Sequence, residues 1–261
     1  AKRAAWSEPL SLRDVKASKS VTGGTVNDVL VSAMTGALRH YMLQKGANVE
    51  GVNFRAAVPV NLRTPQEMGK LGNKLGIVFL SLPVGIGDPL ERLHEVRQRM
   101  LELKNSKEAP VALGILSAMG LSPQELQGTL VNLFGSKTTA VMTNVPGPPM
   151  PLYLAGQKID EIMFWVPQSG RVSLGISIIS YANRVQLGVA TDVGLVPDPD
   201  IIMDGFYDEF AALIRLVEEA KAVEAAEAAK PEPVETAASD TPSAGVSAQP
   251  IQCQATTKSG R

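Results

Sequence analysis

Cysteine and histidine are scarce, because the 261 residues include one cysteine and only two histidines. The single cysteine, Cys253, excludes an intrachain disulfide and a zinc site built from several cysteines. It also lies in a stretch whose composition is typical of a loose tail, which argues against a buried thiol nucleophile. Chemistry that depends on histidine must therefore use His40 or His94, or come from outside this chain.

An excess of one charge and long apolar runs are also missing. The 25 basic and 26 acidic residues leave a formal net charge of -1, which argues against a general nucleic-acid binder. No apolar stretch reaches the roughly 18 to 20 residues that a membrane span needs. The chain opens on Ala1-Lys2-Arg3 without a methionine and without an apolar region behind these charges. We therefore expect missing upstream sequence, no secretory signal and a cytoplasmic location, with peripheral contact to a membrane or lipid droplets left open.

Several catalytic signatures are absent as well. The sequence contains no G-x-S-x-G, no G-x-x-x-x-G-K and no G-x-G-x-x-G, so hydrolases, P-loop proteins and dinucleotide-binding enzymes lose support. No closely spaced set of His, Asp and Glu predicts a metal site. With 44% hydrophobic and 20% charged residues, the chain nevertheless has the composition of a globular domain that can bury a core.

Composition divides the chain into three parts. Residues 1–18 are expected to form an N-terminal linker with a short strand or turn, and residues 19–219 form the main domain. Residues 220–261 begin with a run rich in Ala, Glu and Lys, which predicts a helical extension. From Pro231 onward, too few apolar side chains remain to form a core, so this part is predicted to be a disordered tail.

Helical and strand patterns alternate within the main domain and predict an α+β fold. Apolar residues at helical spacing predict a helix over Thr25–Lys45, capped by Thr25 or Asn27, and Pro199 begins a long amphipathic helix. The clearest hairpin turn is Tyr181-Ala182-Asn183. The expected architecture is a mixed β-sheet with helices packed on one face. The other predicted helices are Asp88–Lys104, Val111–Met119 and Pro123–Phe134, and the predicted strands are Phe54–Val60, Gly76–Val84, Thr138–Asn144, Lys158–Val166, Val172–Ser180 and Arg184–Thr191.

Both histidines are better explained by structure than by chemistry. His40 lies near the end of the first predicted helix, where the helix dipole favours a positive imidazole. His94 belongs to the charged helix ERLHEVRQR, whose pattern is typical of a solvated surface. Neither is predicted to be a general base.

Short motifs at predicted turns are the most specific features. The segment Thr143–Pro149 reads TNVPGPP, and its prolines fix a rigid turn where a predicted strand ends. The pair Asn27-Asp28 opens the first helix, and Pro59–Arg63 and Gly72-Asn73 mark two further turns. Each is explained first as a turn or a helix start, with a place in the wall of a site as the alternative.

Taken together, these motifs resemble the C-terminal half of the bacterial wax ester synthase/acyl-CoA:diacylglycerol acyltransferase family. The resemblance extends over about residues 8 to 215. That family is similar to the chloramphenicol acetyltransferase and peptide-condensation superfamily, which implies one lobe of a two-lobe α/β molecule with a tunnel between the lobes. Six spaced motifs carry the resemblance: TVNDVL (Thr25–Leu30), PVNLR (Pro59–Arg63), GN (Gly72-Asn73), DP (Asp88-Pro89), TNVPGP (Thr143–Pro148) and ISY (Ile179–Tyr181).

The resemblance also implies a division of labour between two lobes. The family's catalytic motif is His-His-x-x-x-Asp-Gly, whose second histidine deprotonates the acceptor hydroxyl that attacks the acyl-CoA thioester. This chain lacks that motif, so the general base is expected on an N-terminal lobe that acts in cis or in trans. Acyl-CoA and a lipid acceptor are the implied substrates. No cofactor is implied, and no catalytic residue is expected in this chain.

For individual residues, the resemblance implies that Asn27 and Asp28 lie near the active site. The apolar segment Val111–Phe134 is a candidate to line an acyl channel or to rest on a lipid surface, with ordinary core helices as the alternative. A mainly structural role is implied for eight motif residues, Pro59, Asn61, Arg63, Asn73, Asn144, Val145, Pro146 and Gly147.

Three functions remain open from the sequence. The favoured one is the C-terminal lobe of a long-chain O-acyltransferase that makes triacylglycerol or wax esters. The alternative is a catalytically silent module of the same fold that binds lipid or a partner protein, since the base is absent. A third is a condensation or acetyl-transfer relative acting on amino or small alcohol substrates, which the details of the motifs favour less.

Overall fold

The computed structural model describes residues 1–67, 74–120, 138–168 and 172–228. Within these residues the chain forms a large mixed β-sheet with α-helices packed against it. The helices are α1 (Leu12–Thr22), α2 (Val26–Gln44), α3 (Pro89–Asn105), α4 (Glu108–Gly120) and α5 (Pro199–Ala228). The strands are β1 (Lys2–Trp6), β2 (Leu10–Ser11), β3 (Phe54–Asn61), β4 (Leu75–Leu82), β5 (Ala140–Pro146), β6 (Tyr153–Leu154), β7 (Gln157–Lys158), β8 (Leu174–Tyr181) and β9 (Arg184–Asp192).

The main sheet has the strand order β1-β9-β8-β5-β3-β4, and β2 also pairs with β9. The pairs β3–β5 and β5–β8 are parallel, and the other pairs are antiparallel. Because side chains alternate between the two faces of a strand, one face of this sheet carries a continuous apolar layer under the helices. Its buried members include Ala56, Leu80, Met142, Ile176 and Leu187. The α+β fold with a mixed sheet, expected from the sequence, is confirmed.

Helix α2 forms the centre of the core. Twelve of its 19 residues are buried, so it is enclosed by neighbours instead of presenting a wide polar face to solvent. It packs against α3, α5 and the apolar layer of the sheet. Close approach to α5 depends on Gly205, where an added Cβ would lie 3.3 Å from the Cα of Ala37.

The start of α2 is fixed by a capping box. The Thr25 N–H donates to Asp28 Oδ2 at 2.7 Å, and the Asp28 N–H donates to Thr25 Oγ1 at 3.3 Å. Each side chain thus satisfies a backbone N–H that the helix itself cannot use. Of the two candidates for this cap, Thr25 is the N-cap residue and Asn27 lies inside the helix.

Charged side chains pack around the C-terminal half of α2, next to Gly36. Arg92 of α3 is fully buried, pairs with Glu209 of α5 and donates to the Ile86 carbonyl oxygen at 3.0 Å. Burial raises the pKa of the Glu209 carboxyl and lowers the pKa of the Arg92 guanidinium, while their mutual attraction opposes both shifts. Arg39 of α2 donates to the Val84 carbonyl oxygen at 2.9 Å, which joins the helix to the loop after β4.

Residues 159–168 cross the opposite face of the sheet without regular secondary structure. Trp165 meets Trp6 of β1 edge to face, with ring centroids 5.9 Å apart. Trp165 also covers Gly188 of β9, where an added Cβ would lie 2.8 Å from the indole. The predicted strand over Lys158–Val166 is therefore wrong for all but its first residue. The apolar side chains of this segment lie over Gly188 of the sheet, and its backbone does not pair with an edge strand.

Most other secondary-structure predictions agree with the structure. The helix predicted over Thr25–Lys45 is α2, the helix from Pro199 is α5, and β8 and β9 form the predicted hairpin. In its turn, Ala182 and Asn183 have φ angles of +46° and +63°, as a type I′ turn requires. Residues 2–22, mostly assigned to a linker from the sequence, supply β1, β2 and α1, and β1 pairs with β9.

Several predicted features lie outside the described residues. They are the helix Pro123–Phe134, the Gly72-Asn73 turn and the tail that contains Cys253. Among the helices that the structure does describe, none combines the length and the apolar character needed to cross a membrane.

Candidate functional site

The sheet opens between β3 and β5, at the carboxyl ends of these parallel strands. Their pairing ends at Ala57 and Val141, whereas β5 continues to pair with β8 as far as its last residue. The Thr139 N–H donates to the Arg55 carbonyl oxygen at 2.9 Å, so the backbone N–H and C=O of Arg55 face β5. Because these groups alternate in direction along a strand, those of residues 57 and 59 also face β5. Pro59 holds one of these positions and has no N–H to donate, which helps the strands to separate. Crevices at the carboxyl ends of parallel strands commonly bind ligands.

Three adjoining cavities, together called the cleft, occupy this opening. The central cavity, of about 490 Å³, lies between the start of α2 and the diverging strands. The helix-side cavity, of about 650 Å³, shares Val58 and Leu80 with it and continues between α3 and the sheet. The outer cavity, of about 470 Å³, shares Pro59 and Asn144 with the central one. The lining of the central cavity is mainly apolar, and includes Leu12, Val26, Leu30, Val31, Val58, Val60, Leu80, Met100, Met142, Ile178 and Val185.

Asn27 and Asn144 meet in the wall of the central cavity. Asn144 Nδ2 donates to Asn27 Oδ1 at 2.8 Å, which joins the first turn of α2 to β5 across 117 residues of sequence. This bond uses the side-chain carbonyl oxygen of Asn27 and one N–H of the Asn144 side-chain amide. The amide N–H groups of Asn27 and the carbonyl oxygen of Asn144 therefore keep the capacity to bind a ligand. Two motifs treated separately in the sequence are thus parts of one polar feature in an apolar wall.

Asp28, the second residue of the Asn27-Asp28 pair, bonds to the backbone at the start of α2. Its side chain is 5% exposed, and its carboxylate accepts the Thr25 N–H at 2.7 Å. A carboxylate in this position also interacts favourably with the positive end of the helix. Asp28 therefore holds Asn27 in place, and its geometry indicates a positioning residue of the cleft.

The end of β3 forms the rim of the outer cavity through Asn61 and Arg63. Asn61 Oδ1 accepts the Arg63 N–H at 3.0 Å, which closes the turn predicted for this motif. Further along, Glu67 pairs with Lys74 and accepts the Thr64 N–H at 3.0 Å. The hydrogen bond from Lys74, helped by the Thr64 N–H, lowers the pKa of Glu67 to about 2.

The TNVPGPP turn is docked onto the end of β8. The Gly147 N–H donates to the Ser180 carbonyl oxygen at 2.9 Å, and the Ala182 N–H donates to the Pro148 carbonyl oxygen at 3.0 Å. An added Cβ at Gly147 would lie 2.2 Å from the Ser180 oxygen, so only glycine fits. Ahead of it, Pro146 lines the central and outer cavities, while Val145, 40% exposed, lines the outer one.

The histidines lie away from the cleft. His40 on α2 and His94 on α3 are exposed, and neither lines any of the three cavities. Within the described ranges, no cluster of three His, Cys, Asp or Glu side chains could hold a metal ion. The start of α4 reaches the cleft, since Ala109 and Pro110 line the helix-side cavity.

An exposed apolar hairpin follows the TNVPGPP turn and was missed from the sequence. Met150, Tyr153 and Leu154 are 72%, 66% and 72% exposed at β6 and its approach. The base of this hairpin is rigid, because the Tyr181 hydroxyl accepts the Leu152 N–H and donates to the Ile159 carbonyl oxygen, both at 2.7 Å. The run PMPLYL, which is apolar on successive residues and contains two prolines, was the available signal.

Comparison with known proteins identifies the family of this fold and cleft. The family model of the WS/DGAT C-terminal domain matches residues 71–214, more than half of the chain. The chain belongs to the WS/DGAT C-terminal domain family. A probable diacylglycerol O-acyltransferase of Mycobacterium tuberculosis is 26% identical over 196 residues, which are 74% of this chain and 42% of that protein. Another putative diacylglycerol O-acyltransferase of the same species is 28% identical over 214 residues, 78% of this chain and 42% of the relative.

Solved structures show the same fold in other WS/DGAT and condensation-type proteins. A wax ester synthase/diacylglycerol acyltransferase from Marinobacter aquaeolei VT8 matches 84% of this chain and 50% of its own, with a TM-score of 0.62 and 24% identity. The epimerization domain from the third module of tyrocidine synthetase B matches 83% of this chain with a TM-score of 0.52 and 11% identity. These likenesses confirm the fold expected from the sequence. The chain spans less than half the length of the curated WS/DGAT relatives described above.

Proposed function

We propose that this chain is the C-terminal lobe of a long-chain O-acyltransferase that transfers an acyl group from acyl-CoA to diacylglycerol or a fatty alcohol. The observation that carries the proposal is the cleft, where an apolar cavity of about 490 Å³ is bordered by the Asn27–Asn144 hydrogen bond. A cavity of this size and character is typical of a site for an apolar ligand oriented by few polar groups. The names of the family relatives support the same class of reaction.

In the proposed reaction, the acceptor hydroxyl attacks the carbonyl carbon of the thioester. A C–O bond forms, the C–S bond breaks, and the hydroxyl proton passes through a general base to the departing thiolate. By the family resemblance, that base is the second histidine of the motif on the N-terminal lobe. This chain contributes the apolar wall that excludes water from the acyl chain, and the amide groups of Asn27 and Asn144 that orient the polar end. Acyl-CoA is a substrate here, and no cofactor enters the reaction.

The proposal includes an N-terminal lobe as the partner of this chain, in cis or in trans. The relatives are more than twice as long as the part that this chain matches. The exposed hairpin with Met150, Tyr153 and Leu154 supports such a partner, because an apolar group of this kind on a rigid support is typical of an interface. A cytoplasmic location, with contact to a membrane or lipid droplet that holds the acceptor, completes the proposal.

Reconstitution tests this function. The chain is assayed alone and fused behind an N-terminal half that carries His-His-x-x-x-Asp-Gly, with labelled palmitoyl-CoA and either dioleoylglycerol or hexadecanol. We expect transfer by the fusion and none by the chain alone. Turnover by the isolated chain would refute the division of labour, and no gain from a competent N-terminal half would contradict the partnership.

Variants of the fusion test the cleft itself. Asn27→Ala or Asp28→Ala should lower transfer, the first by removing an amide of the cleft and the second by releasing the helix start. Gln44→Ala, which removes an exposed amide at the far end of α2, is the matched control, and Cys253→Ser should also leave transfer unchanged. Normal activity in both helix-start variants would show that this pair lies far from the chemistry.

The alternative function is a catalytically silent module that binds lipid or a partner through the same cleft. It is favoured by one observation, which is that neither histidine of the chain lines the cavities. Saturable binding of long-chain acyl groups without any transfer, even beside an active N-terminal half, would support it over the acyltransferase.

A further inference from the structure

Positive charge borders the helix-side cavity of the cleft. Arg97 and Lys104 of α3 both line it and stand seven residues apart, which is about 10 Å along a helix. Met100 and Leu101 lie between them on the same face of α3 and also line the cavity. Among the described lining residues Asp28 is the only acidic one, and its carboxylate is already bonded to a backbone N–H.

The interior of this cavity is apolar and large enough for a small ligand. Its volume is about 650 Å³, within the range of pockets that enclose a small ligand. The first turn of α4 borders it through Ala109 and Pro110. The apolar lining consists mainly of Val58, Val60, Leu62, Val78, Leu80, Met100, Leu101 and Leu103.

The two cations differ in their setting. Arg97 is half-buried and packs against Gly23, where an added Cβ would lie 2.9 Å from Nη1, so its guanidinium has a defined position. Lys104 is exposed at the end of the helix. A guanidinium can hold two oxygens of one phosphate, while an ammonium acts as a mobile point charge for a second anionic group.

We propose that the helix-side cavity binds a long-chain amphiphile whose head carries two separate anionic groups, with the chain against the valine and leucine wall and the head on Arg97 and Lys104. The inference rests on the proposed function, in which the donor is acyl-CoA. It assigns the phosphates of that donor to α3. Because the two residues lie about 10 Å apart along the axis of α3, they suit two separate anionic groups better than a single carboxylate.

Equilibrium binding to the isolated chain tests this site, with four probes: palmitoyl-CoA, CoA without an acyl chain, palmitate and hexadecanol. We expect palmitoyl-CoA to bind tightest and to lose affinity as salt rises, because exposed charge contacts are screened. Arg97→Gln and Lys104→Gln should each weaken palmitoyl-CoA about fivefold to tenfold and leave hexadecanol unchanged. Arg13→Gln and Lys16→Gln on α1, which do not line the cavity, are the matched controls.

A second variant probes the apolar part. Ala109→Leu, which narrows the cavity, should weaken both palmitoyl-CoA and hexadecanol, with thermal melting used to confirm that the variant folds. Unchanged palmitoyl-CoA affinity in folded Arg97→Gln and Lys104→Gln would overturn the site. Equal losses for palmitate and palmitoyl-CoA would also overturn it, since a single carboxylate would then account for the contacts.

The two proposals fail in different ways. If only the donor site is wrong, the fusion still transfers acyl groups and Arg97→Gln leaves the KM for palmitoyl-CoA unchanged. If only the acyltransferase function is wrong, palmitoyl-CoA binding still depends on Arg97 and Lys104 while no transfer occurs.

Discussion

The two ends of helix α2 lie in contrasting surroundings. At its start, Thr25 and Asn27 border open cavities, and the Asn27–Asn144 bond ties this end to the sheet. Towards its end, Arg39 and Tyr41 bond to neighbouring segments next to the buried Arg92–Glu209 pair. The helix therefore combines an end that faces the cavities with an end that is bonded to neighbouring segments. We therefore expect substitutions at the start of α2 to lower the free energy of unfolding only slightly. Substitutions near its C-terminal end, beside the Arg92–Glu209 pair, should lower it much more.

The largest effect is expected from breaking the buried ion pair. Arg92→Met leaves the Glu209 carboxylate without its charge partner in a site where burial already raises its pKa. We expect a loss of about 3 to 5 kcal/mol in the free energy of unfolding, measured by urea denaturation. The double variant Arg92→Met/Glu209→Leu, which removes both charges, should recover much of the loss. An unchanged urea midpoint in the single variant would contradict the importance assigned to this end.

The next effect depends on pH at the same end of α2. Tyr41 donates to Asp198 Oδ1 at 2.8 Å, and burial together with this bond and the nearby negative charge raises the pKa of Tyr41 to about 12. Since this folded-state value exceeds the unfolded one, the stability from Tyr41 is complete below about pH 10 and is lost as pH rises from about 10 to about 12. Across that window the wild type should lose roughly 2 kcal/mol more than Tyr41→Phe.

Urea unfolding at pH 9 and at pH 11.5 measures this difference. Asp198→Asn should also reduce the loss, because it removes the charge that opposes ionisation of the phenol. Parallel pH profiles for the wild type and Tyr41→Phe would show that the phenol does not titrate in this window.

At the side of the molecule that faces the cavities, the TNVPGPP turn is expected to give an intermediate effect. Gly147→Ala places a Cβ 2.2 Å from the Ser180 carbonyl oxygen, so the turn must move away from β8. We expect a loss of about 2 kcal/mol in unfolding free energy, typical of overpacking against a backbone. Gly114→Ala on α4 is the control, since an added Cβ there meets nothing within 4 Å. Equal melting temperatures for both variants would show that the turn is not held as described.

Local signals made much of this fold predictable. The capping residue Thr25, the apolar period of α2 and the Tyr181-Ala182-Asn183 turn are each written within a few adjacent residues. The segment at residues 159–168 was assigned to a strand, because alternation alone does not tell whether a segment pairs at an edge or lies across a face. Its position depends on Gly188, which is distant in sequence.

The candidate site was predictable only in pieces. Asn27 and Asn144 were each selected from motifs, yet their contact spans 117 residues and follows from the parallel placement of β5 beside β3. One residue in the local sequence indicates that those strands separate. It is Pro59, which lacks the N–H that would pair with β5. The sequence did not indicate that Arg97 and Lys104 of α3 line a cavity, because this helix carries charged residues on several faces.

The smallest stability effect, and the sharpest test of the contrast, concerns the Asn27–Asn144 bond. Each single alanine substitution should lower the free energy of unfolding by about 1 kcal/mol, since this partly exposed neutral hydrogen bond exchanges with water. In a double-mutant cycle, the second substitution should cost less than the first, because the bond is already absent. If the proposed function holds, the same variants in the fusion with an N-terminal half should lower transfer far more than this stability loss explains, because the amides border the cavity. Strictly additive stability losses, with transfer falling only in proportion to folded protein, would remove the functional distinction between the two ends of α2.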